Sequence, residues 1–169
     1  MIEFDSKRFQ LRELTLNDVT ERYLEWLRDA DAIKYIAAAT KTNELSDLKT
    51  YVKDRIGRND VLFLGIFEKE KGTHIGNIKY EPVNSDLGYA IMGILIGEPK
   101  WREKGVGTEV LETSALWLKD NSNINQILLG VNEKNIAGIR SYEKAGFIVA
   151  DTPYIKKEAS GQVTMIWNM

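Results

Sequence analysis

The chain has 169 residues, with 23 lysines and arginines against 25 aspartates and glutamates, one histidine and no cysteine. This length suits a single domain spanning 1–169, and the slightly negative balance argues against nucleic acid as the main partner. The lack of cysteine excludes disulfides, zinc–thiolate sites, iron–sulfur clusters and a catalytic thiol, and the single histidine excludes a multi-histidine metal site.

The first third of the chain predicts a strand followed by helices. Residues 8–14 alternate apolar and polar side chains, which is typical of a strand. Thr15–Asp18 resembles a helix start, because short polar side chains accept hydrogen bonds from the free N–H groups of a first turn. A helix with apolar residues at helical spacing follows. A second helix is predicted over Ala32–Ala38, and a third from an N-cap at Ser46 to about Arg58.

The rest of the chain predicts an α/β mixture around one sheet. Three consecutive strands favour antiparallel pairing, and the strand–helix–strand after them favours a parallel crossover. Gly146 is suited to closing the last helix, where a left-handed residue is needed. The predicted elements are strands at 61–67, 73–83 and 86–97, a helix at 105–119, a strand at 126–131, a helix at 135–144, and strands near 147–149 and 162–167.

The segment between the third of these strands and the helix after it is the most informative part of the sequence. Its two glycines, Gly105 and Gly107, let the backbone turn sharply and approach a ligand closely. Successive N–H groups at a helix N-terminus form a natural site for a pyrophosphate, and nearby basic side chains add positive charge. The residues concerned are Arg102, Glu103, Lys104, Gly105, Val106, Gly107 and Thr108.

Other phosphate motifs fit this segment less well. The P-loop pattern G-x-x-x-x-G-K-[ST] is absent, and Thr108-Glu109-Val110 after Gly107 lacks the third small residue of a Rossmann fingerprint. The antiparallel-looking strands upstream also argue against a Rossmann unit. The alternative to a phosphate site is a tight strand-to-helix turn that binds no ligand and needs glycine only for its shape.

Two motifs give the chain a family resemblance. Arg102-Glu-Lys-Gly105-Val-Gly107 matches the R/Q-x-x-G-x-G/A motif of the GNAT acyl-CoA N-acyltransferase superfamily. Downstream, the segment from Asn132 to Phe147 resembles the next signature of that family, N-x-x-N-x-x-A-x-x-x-Y-x-K-x-G-F. The resemblance is strongest over 86–148. More loosely, the start of the chain resembles the branch that contains ribosomal-protein alanine N-acetyltransferases and amino-sugar acetyltransferases.

The resemblance implies an α/β (α+β) fold with a mixed, mostly antiparallel central sheet, flanking helices and a splayed pair of strands that holds the cofactor. It implies transfer of an acetyl group from acetyl-CoA to a primary amine, and the absence of cysteine fits direct transfer. The backbone of Ile94, Leu95 and Ile96 is expected to pair with the pantetheine amides, and one N–H there to stabilise the oxyanion. The segment 102–108 is expected to hold the pyrophosphate. Asn132 and Asn135, from the second motif, join the expected cofactor-binding set.

Tyr142 is the expected general acid, because the matching tyrosine of the family protonates the departing thiolate. The alternative for this residue is an aromatic side chain of the core. The general base stays open. Glu98 follows the central strand and is the first candidate, and Glu81 and His74 are the others. A base is unnecessary if water relays the proton or the amine arrives neutral.

The acceptor also stays open: a protein N-terminal α-amine, an amino sugar or sugar nucleotide, a polyamine or an antibiotic. In the family the N-terminal third shapes the acceptor side, and here it supplies Tyr23, Trp26, Tyr35 and Tyr51. A non-catalytic acyl-CoA-binding or sensing module is the alternative from another class. Without an apolar run of about 20 residues or a signal-peptide pattern, we expect a cytoplasmic monomer or homodimer with no membrane, nucleic-acid or metal partner.

Overall fold

The computed structural model of the chain describes residues 1–33, 44–156 and 161–169. Its strands form one eight-stranded sheet in the order β1-β2-β3-β4-β5-β6-β8-β7. The strands are β1 (Glu3–Asp5), β2 (Phe9–Glu13), β3 (Leu62–Glu68), β4 (His74–Asn84), β5 (Tyr89–Ile96), β6 (Gln126–Asn132), β7 (Ile148–Val149) and β8 (Gln162–Asn168). The helices are α1 (Glu21–Trp26), α2 (Ala30–Ile33), α3 (Leu45–Lys53), α4 (Val106–Ser122) and α5 (Ile136–Lys144), with 3₁₀ turns at Leu16–Asp18 and Pro99–Trp101.

The predicted fold class is confirmed. Strands β1 to β5 pair antiparallel in chain order, as do β6 with β8 and β7 with β8. Only β5 and β6 pair parallel, and α4 is the crossover between them. This is the mixed, mostly antiparallel sheet with flanking helices that the pattern of elements predicts.

The two faces of the sheet carry separate apolar clusters. The larger cluster includes the buried side of α4, with Val110, Leu111 and Leu118, packed on β2 to β6 and β8. The smaller cluster joins α1 and α3 to Leu95 of β5 on the opposite face. Side chains of a strand alternate between faces, so neighbouring residues of β5 belong to different layers. The centre of the sheet is therefore covered by α4 on one side and by the N-terminal helices on the other.

Local predictions in the N-terminal third need correction. The first helix is broken into a 3₁₀ turn after Thr15 and α1, whose own N-cap is Thr20. Ser46 was the wrong cap for α3: Glu44 takes that place because its side chain and that of Asp47 form a reciprocal capping box. The helix ends at Lys53 rather than near Arg58.

Two further points concern an edge strand that the sequence did not predict and a predicted helix that the structure describes only in part. The short edge strand β1 was missed, because three residues are too few to show an alternating pattern. Most of the helix predicted over Ala32–Ala38 cannot be compared, because residues 34–38, which include Tyr35, lie outside the described residues. Among the described residues, no helix is long and apolar enough to cross a membrane.

Candidate active site

The central sheet opens along its length between β5 and β6. The parallel pairing covers only Tyr89–Ile91 of β5 against Gln126–Leu128 of β6. Beyond that point each strand continues, β5 to Ile96 and β6 to Asn132, without pairing to the other. The predicted splayed pair is therefore present, and it leaves backbone groups of β5 free to pair with a ligand that lies in the gap.

Strand alternation decides which backbone groups of β5 face this gap. Gly97 donates its N–H to the Ile75 carbonyl at 2.9 Å, so this pair is a hydrogen-bonded pair of the β4–β5 ladder. Hydrogen-bonded and non-hydrogen-bonded pairs alternate along an antiparallel ladder. Leu95, two residues before Gly97, therefore also belongs to a hydrogen-bonded pair and directs its N–H and C=O to Asn77 of β4. The backbone groups of Ile94 and Ile96 point the other way. Of the three residues predicted to pair with a cofactor, the geometry favours Ile94 and Ile96 and directs Leu95 elsewhere.

The loop that enters α4 forms a concave backbone surface beside the gap. Glu103 and Gly105 are left-handed, with φ of 58° and 71°, and Lys104 between them is not. When left-handed residues alternate with residues of negative φ, their successive backbone N–H groups point to one side of the chain. This arrangement of N–H groups binds anions. Gly105 is also the N-cap of α4 and has no side chain to occupy the free N–H groups of the first turn.

Gly107 marks where this loop meets the gap. Outside its own helix backbone and chain neighbours, a Cβ atom at Gly107 would have one neighbour within 4 Å among the described residues, Cδ1 of Ile94, at 3.8 Å. The first turn of α4 thus lies beside the unpaired part of β5, with open space between them. A ligand with a phosphate group on the loop can continue along β5 without moving any backbone.

The basic side chains predicted to surround the loop are mostly bound within the protein. The Arg102 guanidinium donates to the carbonyls of Ile96 and Gly97, at 3.2 and 2.6 Å, and to Asp29 at 2.7 Å. Lys100 lies 3.7 Å from Glu68. Arg102 therefore fixes the end of β5, and binding of an anion here depends on backbone N–H groups more than on these side chains.

A network that the sequence did not reveal holds the loop in place. Glu109, in the first turn of α4, accepts hydrogen bonds at 2.7 Å from Arg8 Nε, from the Arg8 backbone N–H and from the Ser6 hydroxyl. Arg8 Nη2 also donates to the Lys104 carbonyl at 3.0 Å. The C=O and the following N–H of a trans peptide point in opposite directions. By binding the Lys104 carbonyl, Arg8 turns the Gly105 N–H away from itself.

Helix α5 contacts the first turn of α4 at the residue before Tyr142. The hydroxyls of Thr108 in α4 and Ser141 in α5 lie 3.3 Å apart, and Tyr142 is the next residue. Its ring packs on Phe147, with centroids 5.7 Å apart, and its hydroxyl bonds to no other residue in the described ranges. Burial raises the pKa of the Tyr142 phenol, so the hydroxyl keeps its proton at neutral pH.

The two asparagines of the second motif shape the turn before α5. The Asn135 side chain accepts a hydrogen bond from the Gly138 N–H at 3.0 Å and caps the helix. The Asn132 side chain accepts from the Lys134 N–H at 2.9 Å. Both have local structural roles, and the remaining donors of their amide groups are compatible with the predicted role in ligand binding.

The three candidate bases are all engaged with other residues. Glu98 binds Arg22 through two hydrogen bonds of 2.6 and 3.0 Å and accepts a third from Trp26 Nε1 at 3.1 Å. The Arg22 pairing holds the pKa of Glu98 below its usual range, which weakens it as a base at neutral pH. His74 packs against Phe67, and burial lowers the pKa of its imidazole.

Glu81 has the largest number of cationic neighbours among these candidates. It contacts Arg55 at 2.9 Å, Arg58 at 3.1 Å and Lys79 at 2.7 Å. Burial alone would raise the pKa of Glu81, but the hydrogen bonds and charges of Lys79 and Arg55 outweigh it and keep that pKa low. Glu81 therefore also fits an ion-pair role better than that of a base.

A second opening lies on the opposite face of β5. Gly93 is exposed, and a Cβ atom there would meet nothing within 4 Å among the described residues. It lies on the same face as Leu95, whereas Ile94 packs toward α4. In the described part of the chain, space beside the gap is thus open on both faces of the sheet, on the α4 side at Gly107 and on the α1–α3 side at Gly93.

Comparisons with known proteins agree with this geometry. The model of the Acetyltransferase (GNAT) domain family matches residues 8–148. The spermidine N-acetyltransferase of Vibrio cholerae, solved with CoA and spermine, superposes with a TM-score of 0.81 at 17% identity over 95% of each chain. RimL, a ribosomal L7/L12 α-N-protein acetyltransferase solved with CoA, has a TM-score of 0.81 at 13% identity over 97% of this chain and 96% of its own. The microcin C7 self-immunity acetyltransferase MccE, solved with acetyl-CoA and AMP, has a TM-score of 0.80 at 16% identity over 96% of this chain and 93% of its own.

Proposed function

The chain belongs to the GNAT acetyltransferase family, and from this we propose that it moves the acetyl group of acetyl-CoA to a primary amine at the gap between β5 and β6. The observation that carries the proposal is the unpaired stretch of β5 directly beside the concave backbone loop at the start of α4. An extended amide-containing arm and a pyrophosphate need these two features side by side. The open space at Gly107 connects them.

The residues of the chain fit acetyl-CoA as follows. The N–H groups of 103–107 would hold the pyrophosphate, since they stand at a helix N-terminus without a side-chain cap. The backbone of Ile94, with the N–H of Ile96, would pair with the pantetheine amides, because the Ile96 carbonyl already accepts from Arg102. Bound in this way, the thioester supplies an activated acetyl carbon to a neutral amine and a thiol as leaving group.

Tyr142 completes the proposed reaction. Its hydroxyl keeps its proton because burial raises its pKa, and it has no competing acceptor in the described part of the chain. We assign it the transfer of that proton to the departing sulfur as the carbon–sulfur bond breaks. The attacking amine releases one proton, and this proton returns to the phenol oxygen of Tyr142. The number of protons is therefore the same before and after the reaction.

The acceptor is proposed to approach from the face opposite to the cofactor. Ile94 and Gly107 border the α4 side of the gap, and Gly93 is open on the α1–α3 side. An amine that enters at Gly93 therefore meets a thioester that enters at Gly107 without competing for space. An N-terminal α-amine or an amino sugar is the acceptor class that the sequence resemblance favours.

Arg8 gives a test of the loop that does not touch the reacting atoms. Arg8→Met removes the hydrogen bond to the Lys104 carbonyl and the one side-chain bond to Glu109, and it keeps the bond from the Arg8 backbone N–H. We expect the KM for acetyl-CoA to rise about fivefold to tenfold, which corresponds to the net contribution of about one hydrogen bond, with kcat changed much less. Steady-state kinetics with acetyl-CoA varied at saturating amine measure both constants.

The matched control for Arg8 is Arg12→Met, an arginine of β2 whose guanidinium binds Asp18 at 2.6 Å rather than the loop. A fall in kcat with no change in KM for acetyl-CoA would contradict the role given to Arg8. An equal loss of stability in both variants, followed by equal loss of activity, would contradict it as well.

Glu98 gives a second test, because it was the first candidate for the general base. Its carboxylate is bound by Arg22 and its pKa is lowered, so it does not titrate near neutral pH. We expect Glu98→Gln to leave the acidic limb of the pH profile of kcat/KM in place. The variant keeps the shape of the side chain but weakens the link to α1. Loss of that limb in the variant would restore Glu98 as the base.

The experiment that tests the proposed function separates binding from turnover. Calorimetric titration with acetyl-CoA measures binding, and release of free CoA thiol with a panel of amines measures transfer. Binding with amine-dependent thiol release supports the enzyme. Binding without release for any amine would favour the alternative, an acyl-CoA-binding or sensing module.

A further inference from the structure

Two hydrogen-bond donors that have no acceptor among the described residues lie beside the opening at Gly93. Lys79 Nζ donates to the Tyr51 hydroxyl at 2.6 Å and to Glu81 at 2.7 Å. An ammonium group has three N–H donors, so one remains. The Tyr51 oxygen accepts from Lys79, and its own O–H has no acceptor in the described part of the chain. With respect to residues 1–33, 44–156 and 161–169, the third N–H of Lys79 and the O–H of Tyr51 are thus available to bind the same ligand.

The position of this pair connects it to the open part of the sheet. In the β-sheet register Lys79 lies between Phe63 of β3 and Gly93 of β5, on the α1–α3 face. Tyr51 of α3 packs edge-on against Phe63, with ring centroids 6.1 Å apart, and so forms the border of the covered region. Gly93, on the other side of Lys79, is exposed. The donor pair therefore stands at the boundary between α3 and the opening.

The charges around the pair leave an excess of one positive charge. The cluster consists of three cations and two anions, joined by ion pairs of 2.6 to 3.1 Å. All three cations contact the single carboxylate of Glu81, and Arg58 also binds Asp60. The lysine side chain is only 24% exposed, so water screens its charge less than at the open surface. The members are Arg55, Arg58, Asp60, Lys79 and Glu81.

We propose that Lys79 and Tyr51 bind an anionic oxygen group of the acceptor, so that the preferred substrate is an amine that also carries a carboxylate or a phosphate. This inference rests on the proposed function, because it takes the opening at Gly93 as the acceptor side. A carboxylate or phosphate oxygen accepts from both free donors and offsets the excess charge. A neutral amine leaves those donors to water.

The same charges disfavour a polycationic acceptor. A polyamine is bound best by free carboxylates, and the carboxylates of Glu81 and Glu98 already pair with arginine or lysine side chains. Like charges placed near each other repel, so an ammonium group close to Lys79 is bound less well. The chain thus differs in acceptor from its structural neighbour that was solved with spermine.

The test uses pairs of amines that differ only in the anionic group. Seryl-glutamate amide against seryl-glutamine amide tests the carboxylate, glucosamine 6-phosphate against glucosamine tests the phosphate, and spermidine is the polycationic reference. We expect about tenfold or higher kcat/KM for the anionic member of at least one pair, as for a charged hydrogen bond gained. Lys79→Met and Tyr51→Phe should each reduce this preference, because each lowers kcat/KM for the anionic member more than for the neutral member.

The controls separate this inference from the proposed function. Lys49→Met removes an exposed lysine of the same helix as Tyr51 and should keep the full preference. Calorimetric titration of each amine into the CoA-bound protein gives a readout that needs no turnover. Binding that favours the anionic member and is lost in Lys79→Met upholds the inference even if no amine is acetylated. A preference for neutral amines or spermidine, a preference that survives both variants, or binding of no member of either pair would overturn it.

Discussion

Replacing Tyr142 by phenylalanine is expected to lower kcat by about tenfold or more, the range for loss of a general acid. The KM for acetyl-CoA should change little, because the aromatic ring and its packing on Phe147 remain. The lost atom is the phenol oxygen, whose proton the departing thiolate needs. Initial rates of CoA release at saturating acetyl-CoA and amine give the comparison.

The pH dependence of the wild-type protein follows from the same group. Burial raises the pKa of Tyr142, so the acid form is present through neutral pH and is lost only as the pH rises through that raised value. The contribution of Tyr142 to kcat therefore falls at the alkaline end and not near neutrality. In Tyr142→Phe this alkaline fall should disappear.

Tyr80→Phe is the matched control for the tyrosine variant. It also removes a buried phenol oxygen, which lies 2.8 Å from the Ser114 hydroxyl under α4. This variant should lose about 1 kcal/mol of stability, as for one buried hydrogen bond, and keep its kcat. If both variants have the same kcat, Tyr142 has no part in the chemistry.

Replacing Gly107 by glutamate is expected to abolish acetyl-CoA binding without harming the fold. The added side chain enters the open space next to Ile94 and places a carboxylate where the phosphates would bind. The fold gains from the same change, because glycine is a poor helix former and a carboxylate is favourable in the first turn of a helix. We expect Kd to rise by at least about a hundredfold, or roughly 2.7 kcal/mol, and the melting temperature of the free protein to stay the same or increase.

The choice of Gly107 avoids a second effect at Gly105. Gly105 has a φ of 71°, so any other residue there strains the backbone whatever happens to the ligand. Leu116→Glu, on an exposed position of the same helix, adds the same charge far from the loop and should bind acetyl-CoA as the wild type does. Calorimetric titration compares the three proteins, and unchanged affinity in Gly107→Glu would move the phosphate site away from this loop.

The sequence predicted those parts of the fold that depend on local patterns. The apolar run in β5 and the strand–helix–strand after it predicted a central strand and a parallel crossover, and both are present. The Gly105–Gly107 spacing predicted a loop that exposes N–H groups at a helix start, and Gly105 is the left-handed cap of α4. The helix predicted over 135–144 is present as α5, and Gly146 after it is left-handed, as predicted for the residue that closes this helix.

The sequence did not predict the pairings that depend on distant residues. Arg8 and Glu109 are 101 positions apart, and Tyr51 and Lys79 are 28 apart. No local pattern shows that such side chains meet, because the meeting depends on how β2, β4 and the helices stack. For the same reason Glu98 looked free in the sequence, whereas α1 brings Arg22 and Trp26 onto its carboxylate.

Alternation within a strand corrected a finer prediction. Ile94, Leu95 and Ile96 are consecutive and apolar, and the sequence treated them alike. The ladder with β4 divides them, since Leu95 bonds toward Asn77 and its two neighbours face the gap. Which set faces the gap depends on the register with β4, which a single sequence does not contain.

A thermal-shift titration with acetyl-CoA tests most directly whether the gap and the loop form the acetyl-CoA site. The wild-type protein and Gly107→Glu are titrated in parallel. Ligand at 100 times its Kd adds about 2.7 kcal/mol to the free energy of unfolding, so the melting temperature should keep rising with ligand concentration. We expect this rise in the wild type and none in the variant. No shift of the wild type at millimolar acetyl-CoA, or the same shift in both proteins, would contradict the assignment of this gap and loop as the acetyl-CoA site.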